Sequence, residues 1–277
     1  MHLIALCGKK QSGKTTLSNF IHGHEMKRHD VIQNFEINEA GNLVVNYIQF
    51  DEDGKEDTGM AVFDLWQRSD QFINYAQRFI WPLVKGYNFA DALKEICMTL
   101  FGLTHSQCYG TDVDKNSKVD FSWEKMPGEV RFKSGYGAMT AREFMQYFGA
   151  EIMRKIAPDI WINNCLGRIR EDSPPIAVIS DCRYINEIEA VKKAGGKVIK
   201  LTREPLKQEN KSALDTELAT HSSETESDDY DDFDFIIDNK NMNISESCDA
   251  FLNILINMGA TQHLRTINPR LGTASVK

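Results

Sequence analysis

The chain opens on LIALC (residues 3–7), an uninterrupted apolar run typical of a strand buried on both faces. A glycine turn follows, then TTLSNFIHGHE, where Leu17, Phe20 and Ile21 recur at helical spacing. Strand, glycine turn and helix in that order open many α/β domains. Residues 28–86 differ in character. Within them NLVVNYIQFDEDGKEDTGMAVFDL alternates apolar and polar positions around Asp53-Gly54, which predicts a β-hairpin with a solvated acidic tip. GYNFADALKEICMTLFGL (86–103) predicts a short strand and an amphipathic helix, whereas the polar, turn-rich residues 104–138 predict a long lid-like loop.

Helical spacing resumes in TAREFMQYFGAEIMRKI (140–156), with Thr140 as N-cap, Glu143 three residues on, and Pro158 just beyond the end. DIWINNCLGRIRE predicts another helix. PPIAVISD (174–181) is the clearest later strand; YINEIEAVKKAGG then gives a helix stopped at Gly195 and Gly196, and KVIKLTR a further strand, a β–α–β unit of ordinary length. After the acidic DTELATHSSETESDDYDD comes a last strand, FDFIID, and a final helix capped by Asn243 with Glu246. The expected division is a nucleotide-binding core (1–27 and 87–260), a hairpin-containing insertion (28–86) and a frayed tail (261–277).

The 277 residues are 42% hydrophobic and 26% charged, as in an ordinary globular protein. A formal net charge of -8 argues against a dedicated nucleic-acid binder but leaves room for a small anion held by backbone N–H groups. Six scattered cysteines without a C-x-x-C pair read as reduced thiols. No apolar run is long enough to span a bilayer, and LIALC meets Gly8, Lys9 and Lys10 too soon for a signal peptide. The expectation is a cytoplasmic protein without membrane or nucleic-acid partners. A homodimer fits the size, although no sequence feature decides it.

Gly8-Lys9-Lys10-Gln11-Ser12-Gly13-Lys14-Thr15 matches G-x-x-x-x-G-K-[ST] between a buried strand and a helix start. Gly8 and Gly13 let the backbone curl so that its N–H groups, those of Ser12 and Thr16 among them, face phosphate at a helix N-terminus. Lys14 is suited to bridging the β- and γ-phosphates and the Thr15 hydroxyl to ligating Mg²⁺. This pattern points to ATP with Mg²⁺ and says nothing of the acceptor. Asp181 ends the IAVIS strand at the edge where ligands bind in open α/β sheets. It could hold Mg²⁺ through water or a substrate hydroxyl, or simply close a turn. Arg183, two residues on, could neutralise a transferring phosphoryl group or be an ordinary surface cation.

The phosphate loop, FADALK (89–94), CYGTDVDKN (108–116), WEKMPG (123–128), MTAREFMQYFG (139–149), the Trp161 segment, ISDCRYINE (179–187), AGGKVIKLTR (194–203), HSSE (221–224) and DFIIDN (234–239) occur in one order. In these the chain resembles the deoxynucleoside monophosphate kinases of tailed bacteriophages, over residues 2–20 and roughly 87–255. The resemblance implies a P-loop three-layer α/β sandwich with a parallel central sheet. It also implies transfer of the γ-phosphoryl of ATP to a deoxynucleoside 5′-monophosphate, a step in precursor supply for DNA synthesis. By position, it places Lys10 and Lys14 in the phosphate loop and Lys94, Arg142, Gly149, Trp161, Asp181, Arg183 and Glu187 around the substrate.

Lys94 and Arg142 suit a dianionic monophosphate, the Trp161 ring offers a face to a base, and Asp181 and Glu187 can accept from sugar or base donors. Plain structural readings stand beside these: Trp161 as core, Lys94 and Arg142 as solvated helix cations, Glu187 as a first-turn acid. Asp91 either orients the acceptor or caps its helix, and His221 either marks a lid or marks nothing. His22, His24 and His29 lack the partners a metal site needs and read as a solvated helix end. Lys14, Arg142, Asp181 and Arg183 are the expected catalytic set, with Thr15 and Asp181 at the metal. The alternatives are a dephospho-coenzyme A or ribonucleotide kinase, a nucleotide-driven switch or motor, and a non-catalytic nucleotide-binding module.

Overall fold

The first apolar run becomes β1 (His2–Cys7), and the glycine turn after it leads directly into α1 (Lys14–Arg28). Then follow β2 (Phe35–Ile37), β3 (Leu43–Phe50), β4 (Glu56–Val62), α2 (Asp70–Phe79), β5 (Val84–Tyr87) and α3 (Asp91–Phe101). Next come α4 (His105–Tyr109), α5 (Asp112–Lys115), β6 (Lys118–Ser122), β7 (Ala138–Thr140), α6 (Ala141–Gln146), α7 (Arg154–Ile156) and α8 (Ile160–Asp172). The chain ends with β8 (Ile176–Cys182), α9 (Ile185–Lys193), β9 (Lys197–Leu201), β10 (Phe235–Ile237) and α10 (Ile244–Asn257). This computed structural model describes residues 1–50, 56–127, 136–204 and 230–264. The expected hairpin tip at Asp53-Gly54, His221 with most of the acidic stretch, and the tail from 265 lie outside the described residues.

Residues Met1–Lys14 with Lys85–Asn241 form one unit, built on a five-stranded sheet of order β10-β9-β1-β8-β5. β1 pairs in parallel with both β8 and β9, and β9 with β10. This is an α/β fold with a central parallel sheet flanked by helices, as expected. The β8–α9–β9 unit crosses over β1, so its two strands are parallel without touching. Strand order therefore reverses at β1, and the carboxyl edge of such a switch point is where α/β sheets bind ligands. On one face Leu3, Ala5, Cys7, Ala177, Ile179 and Val198 pack with Trp161, Ile162, Cys165 and Ile169 of α8 and Ile188 and Val191 of α9. The alternate side chains, Ile4, Leu6, Val178 and Ile199, are buried as well, which explains the unbroken apolar runs.

Among its described residues, the 104–138 segment holds short helices and a strand pair rather than the long loop that its polarity predicts. Thr104 with Gln107 and Thr111 with Asp114 form capping boxes that start α4 and α5. β6 then pairs with β7, and Trp123 packs with Cys97, Cys108, Met139, Phe144 and Tyr147 in a second core. The 140–156 helix is capped by Thr140 and Glu143 as predicted, but a π-helical stretch, Tyr147–Met153, divides it.

Thr15–Val84 with Met242–Lys277 form the other unit. The predicted hairpin is present as β3 and β4, with β2 added at the edge of β3. Gly23 of α1 lies so close to Phe35 and Leu43 that a Cβ there would meet them at 2.5 and 2.7 Å. Met26 of α1 shares a small core with Phe72, Ala76 and Ile80 of the 28–86 stretch, so that stretch packs with α1 as one body. Of the three histidines expected at a solvated helix end, only His29 is exposed. His22 and His24 are buried; the Nδ1 of His22 pairs with the Ser18 carbonyl at 2.7 Å, and burial lowers its pKa to about 4. The buried Glu25 accepts from His24, Arg28 and Thr261, so the first residues of the expected tail are anchored. Asn243 caps α10 with Glu246, as predicted.

Candidate active site

The turn after β1 is shaped by backbone geometry before any ligand is considered. Gly8 sits at φ +148°, and a Cβ there would lie 2.7 Å from the Leu201 carbonyl oxygen and 2.8 Å from the Ser12 hydroxyl. Gly13 (φ +102°) and Gln11 (φ 62°) are also left-handed, and the Ser12 N–H donates to the Lys9 carbonyl at 3.2 Å. The loop is held from outside by Asn239, just beyond β10. Its side-chain amide donates to the Ser12 carbonyl at 2.8 Å, and its side-chain oxygen accepts from the Arg203 N–H at 2.9 Å.

Lys14 is only 7% exposed. Its ammonium donates to the carbonyls of Gly8 and Lys9, both at 2.6 Å, and to the Ser12 hydroxyl at 3.3 Å. Burial, and after it the positive charge of Arg183, pushes its pKa down to about 7, against a smaller opposing pull from Asp181. A cation so desolvated gains strongly from a bound polyanion. The closed glycine turn and this lysine thus fit the phosphates of a nucleotide. Thr15 and Thr16 are the next two residues of α1, Thr15 exposed and Thr16 half-buried against Gly41.

Asp181, at the end of β8, accepts from the N–H groups of Phe89 and Ala90 at 2.8 and 3.1 Å. It therefore anchors the start of α3. Burial and the neighbouring Asp91 raise its pKa, while Lys94 opposes them. Asp91 does not cap α3 in the usual sense, since Ala90 is the cap residue. Its carboxylate reaches back to the Asn88 N–H (3.0 Å) and side-chain amide (3.1 Å).

On the α5–α6 side, Asp112 bridges two cations: Lys10 of the phosphate loop at 2.8 Å and Arg142 of α6 at 2.5 Å. Both pairings lower the Asp112 pKa against the effect of burial. Lys94 lies 4.2 Å from the Tyr109 ring centre, a cation–π contact. Sequence reasoning named Lys10, Lys94 and Arg142 but missed Asp112 and Lys115, which lie within CYGTDVDKN and needed the fold to bring them near Lys10.

Two expectations fare differently. The Trp161 ring is 4% exposed inside the core and donates to the Gly149 carbonyl at 3.2 Å, so it offers no open face to a base here. Its plain structural reading, as core, is the one observed. Glu187 is 2% exposed and saturated: it accepts from the N–H groups of Arg183 (2.8 Å) and Tyr184 (3.1 Å) and from Arg154 (2.5 Å). Burial raises its pKa to about 7, with Arg154 opposing. Arg154, whose guanidinium lies 3.8 Å from the Tyr184 ring centre, is a further partner that sequence reasoning missed.

The family model for deoxynucleotide monophosphate kinases matches residues 2–244. The chain belongs to the deoxynucleotide monophosphate kinase family. A protein of Acanthamoeba polyphaga mimivirus, whose name assigns it to the same kinases, is 29% identical over 164 residues, covering 55% of this chain and 73% of its own. Membership supports nucleotide kinase activity for the protein. Among the described residues no three His, Cys, Asp or Glu side chains form a metal cluster, and no helix is long and apolar enough to cross a membrane.

Proposed function

We propose that this kinase transfers the γ-phosphoryl of ATP to a deoxynucleoside 5′-monophosphate, giving ADP and the diphosphate. The observation that carries the reading is the Lys10–Asp112–Arg142 bridge, which connects the donor-side loop to a cationic group able to receive a second phosphate. Phosphoryl transfer needs little covalent chemistry from a protein; it needs two anions held in line and their charge neutralised.

Gly8, Ser12, Gly13 and Thr16 shape the donor loop, and Lys14 holds the β- and γ-phosphates. Thr15, through its hydroxyl, and the Asp181 carboxylate would hold Mg²⁺, which would supply further neutralisation of phosphate charge. Arg183, whose charge is felt at Lys14, offsets charge that builds on the moving group. Lys94 and Arg142 hold the acceptor phosphate. Gly149, Trp161 and Glu187 act by holding the walls in place rather than by direct contact.

Product identity is the test. With γ-labelled ATP, the label should appear in a deoxynucleoside diphosphate and vanish with Lys14→Ala. Label released only as inorganic phosphate would instead support a hydrolytic switch.

A further inference from the structure

The turn that carries CYGTDVDKN brings a cation to the acceptor side that neither the motif nor the family description assigns. Lys115 ends α5, and two residues on the backbone lies against the start of α6: the Ser117 carbonyl accepts from the Ala141 N–H at 3.0 Å, next to Arg142. Asp112, three residues before Lys115 on the same short helix, holds Lys10 and Arg142. Across from them, Lys94 of α3 lies over Tyr109 of α4. Lys115 thus sits one helical turn from the carboxylate that bridges two cations, and the charges of Lys94, Arg142 and Lys10 are all felt at it. Like charges so placed repel unless an anion joins them, and a phosphate dianion accepts from several donors at once.

We infer that Lys115 is a ligand of the acceptor's phosphate dianion, acting with Lys94 and Arg142. The inference rests on the kinase reading and adds a residue and a proton to it. Burial first, then the charges of Lys94 and Arg142, pushes the Lys115 pKa down to about 8; Asp112 opposes this, and Lys10 adds to it. An arriving dianion reverses the sign of that field. Lys115 then takes up a proton as the acceptor binds, about half a proton per site at pH 8, where the phosphate itself is already a dianion.

Lys115→Met and Lys115→Arg test this by steady-state kinetics, together with calorimetry at pH 8 in two buffers of different ionisation enthalpy. Lys115→Met should raise the acceptor KM roughly tenfold to hundredfold and leave the KM for ATP within about twofold. Wild type should take up a proton on binding a deoxynucleoside monophosphate. Lys115→Arg should bind nearly as well without proton uptake, because a guanidinium is always charged. An unchanged acceptor KM in Lys115→Met, or proton uptake that persists in it, would overturn the inference. If wild type phosphorylates no monophosphate, the kinase reading fails separately. Titration with inorganic phosphate then decides: proton-coupled binding lost in Lys115→Met keeps Lys115 as an anion ligand, and its absence in wild type removes it.

Discussion

The side-chain amide of Asn239 donates to the Ser12 carbonyl at 2.8 Å across 227 positions of sequence, fastening the phosphate loop to the end of an edge strand. The same residue accepts from the Arg203 N–H, and its backbone carbonyl takes the Arg203 guanidinium at 3.1 Å. Asn239→Leu leaves both the Ser12 carbonyl and the Arg203 N–H without that partner in a buried place. The expected cost is about 1–3 kcal/mol, seen as a raised KM for ATP with little change in the KM for the acceptor. Equal effects on both would mean that Asn239 supports the fold in general.

Lys14 carries a prediction in pH. Its folded pKa, about 7, lies well below its ordinary 10.5. The folded state therefore binds fewer protons than the unfolded chain between those values, and stability rises with pH across that window. Lys14→Met removes the buried charge. It should raise the apo unfolding midpoint near pH 7 by about 2–4 °C for each kcal/mol recovered and abolish the rise that ATP gives wild type. A lowered apo midpoint would show that the carbonyl contacts outweigh the desolvation.

A Cβ on Gly149 would lie 2.7 Å from Leu93 Cδ2, so a side chain there requires the end of the Leu93 side chain to move. Gly149 also lies in the π-helical stretch, with its carbonyl bonded to Trp161. Gly149→Ala should cost about 1–3 kcal/mol, and Leu93→Ala in the same chain should recover part of that. Additive losses in chemical denaturation would rule out the contact as the cause.

Glu187 titrates the other way from Lys14. Its folded pKa is raised to about 7 from 4.5, chiefly by burial. Its contribution to stability is fully present below the unfolded value and is lost as pH rises through about 7. The stability of wild type relative to Glu187→Gln should fall between pH 4.5 and 7, by up to about 3 kcal/mol. A flat difference over that range would place the Glu187 carboxyl in its ordinary ionised state.

Much of this molecule is legible from sequence where one residue or run settles a local question. LIALC and PPIAVISD are unbroken apolar runs because their strands are buried on both faces, and Thr140 and Asn243 announce their helices through reciprocal caps. The 104–138 segment is not legible by periodicity because α4 and α5 each span about one turn and show no repeating face. Their T-x-x-Q and T-x-x-D boxes were the available signal. His22 and His24 read as solvated because nothing local shows that their helix is covered. Asp112 and Lys115 are invisible for a related reason: the charge of a site is a sum over segments, and only the fold adds Lys10, Lys94 and Arg142 to them.

The most direct measurement is ADP release from Mg·ATP with dAMP, dGMP, dCMP, dTMP, 5-hydroxymethyl-dCMP and the ribonucleotides in turn, with Lys14→Ala as the blank. The account predicts turnover with one or more deoxynucleoside monophosphates and none in the blank. ADP release that ignores the acceptor, or no release with any of them, would contradict it.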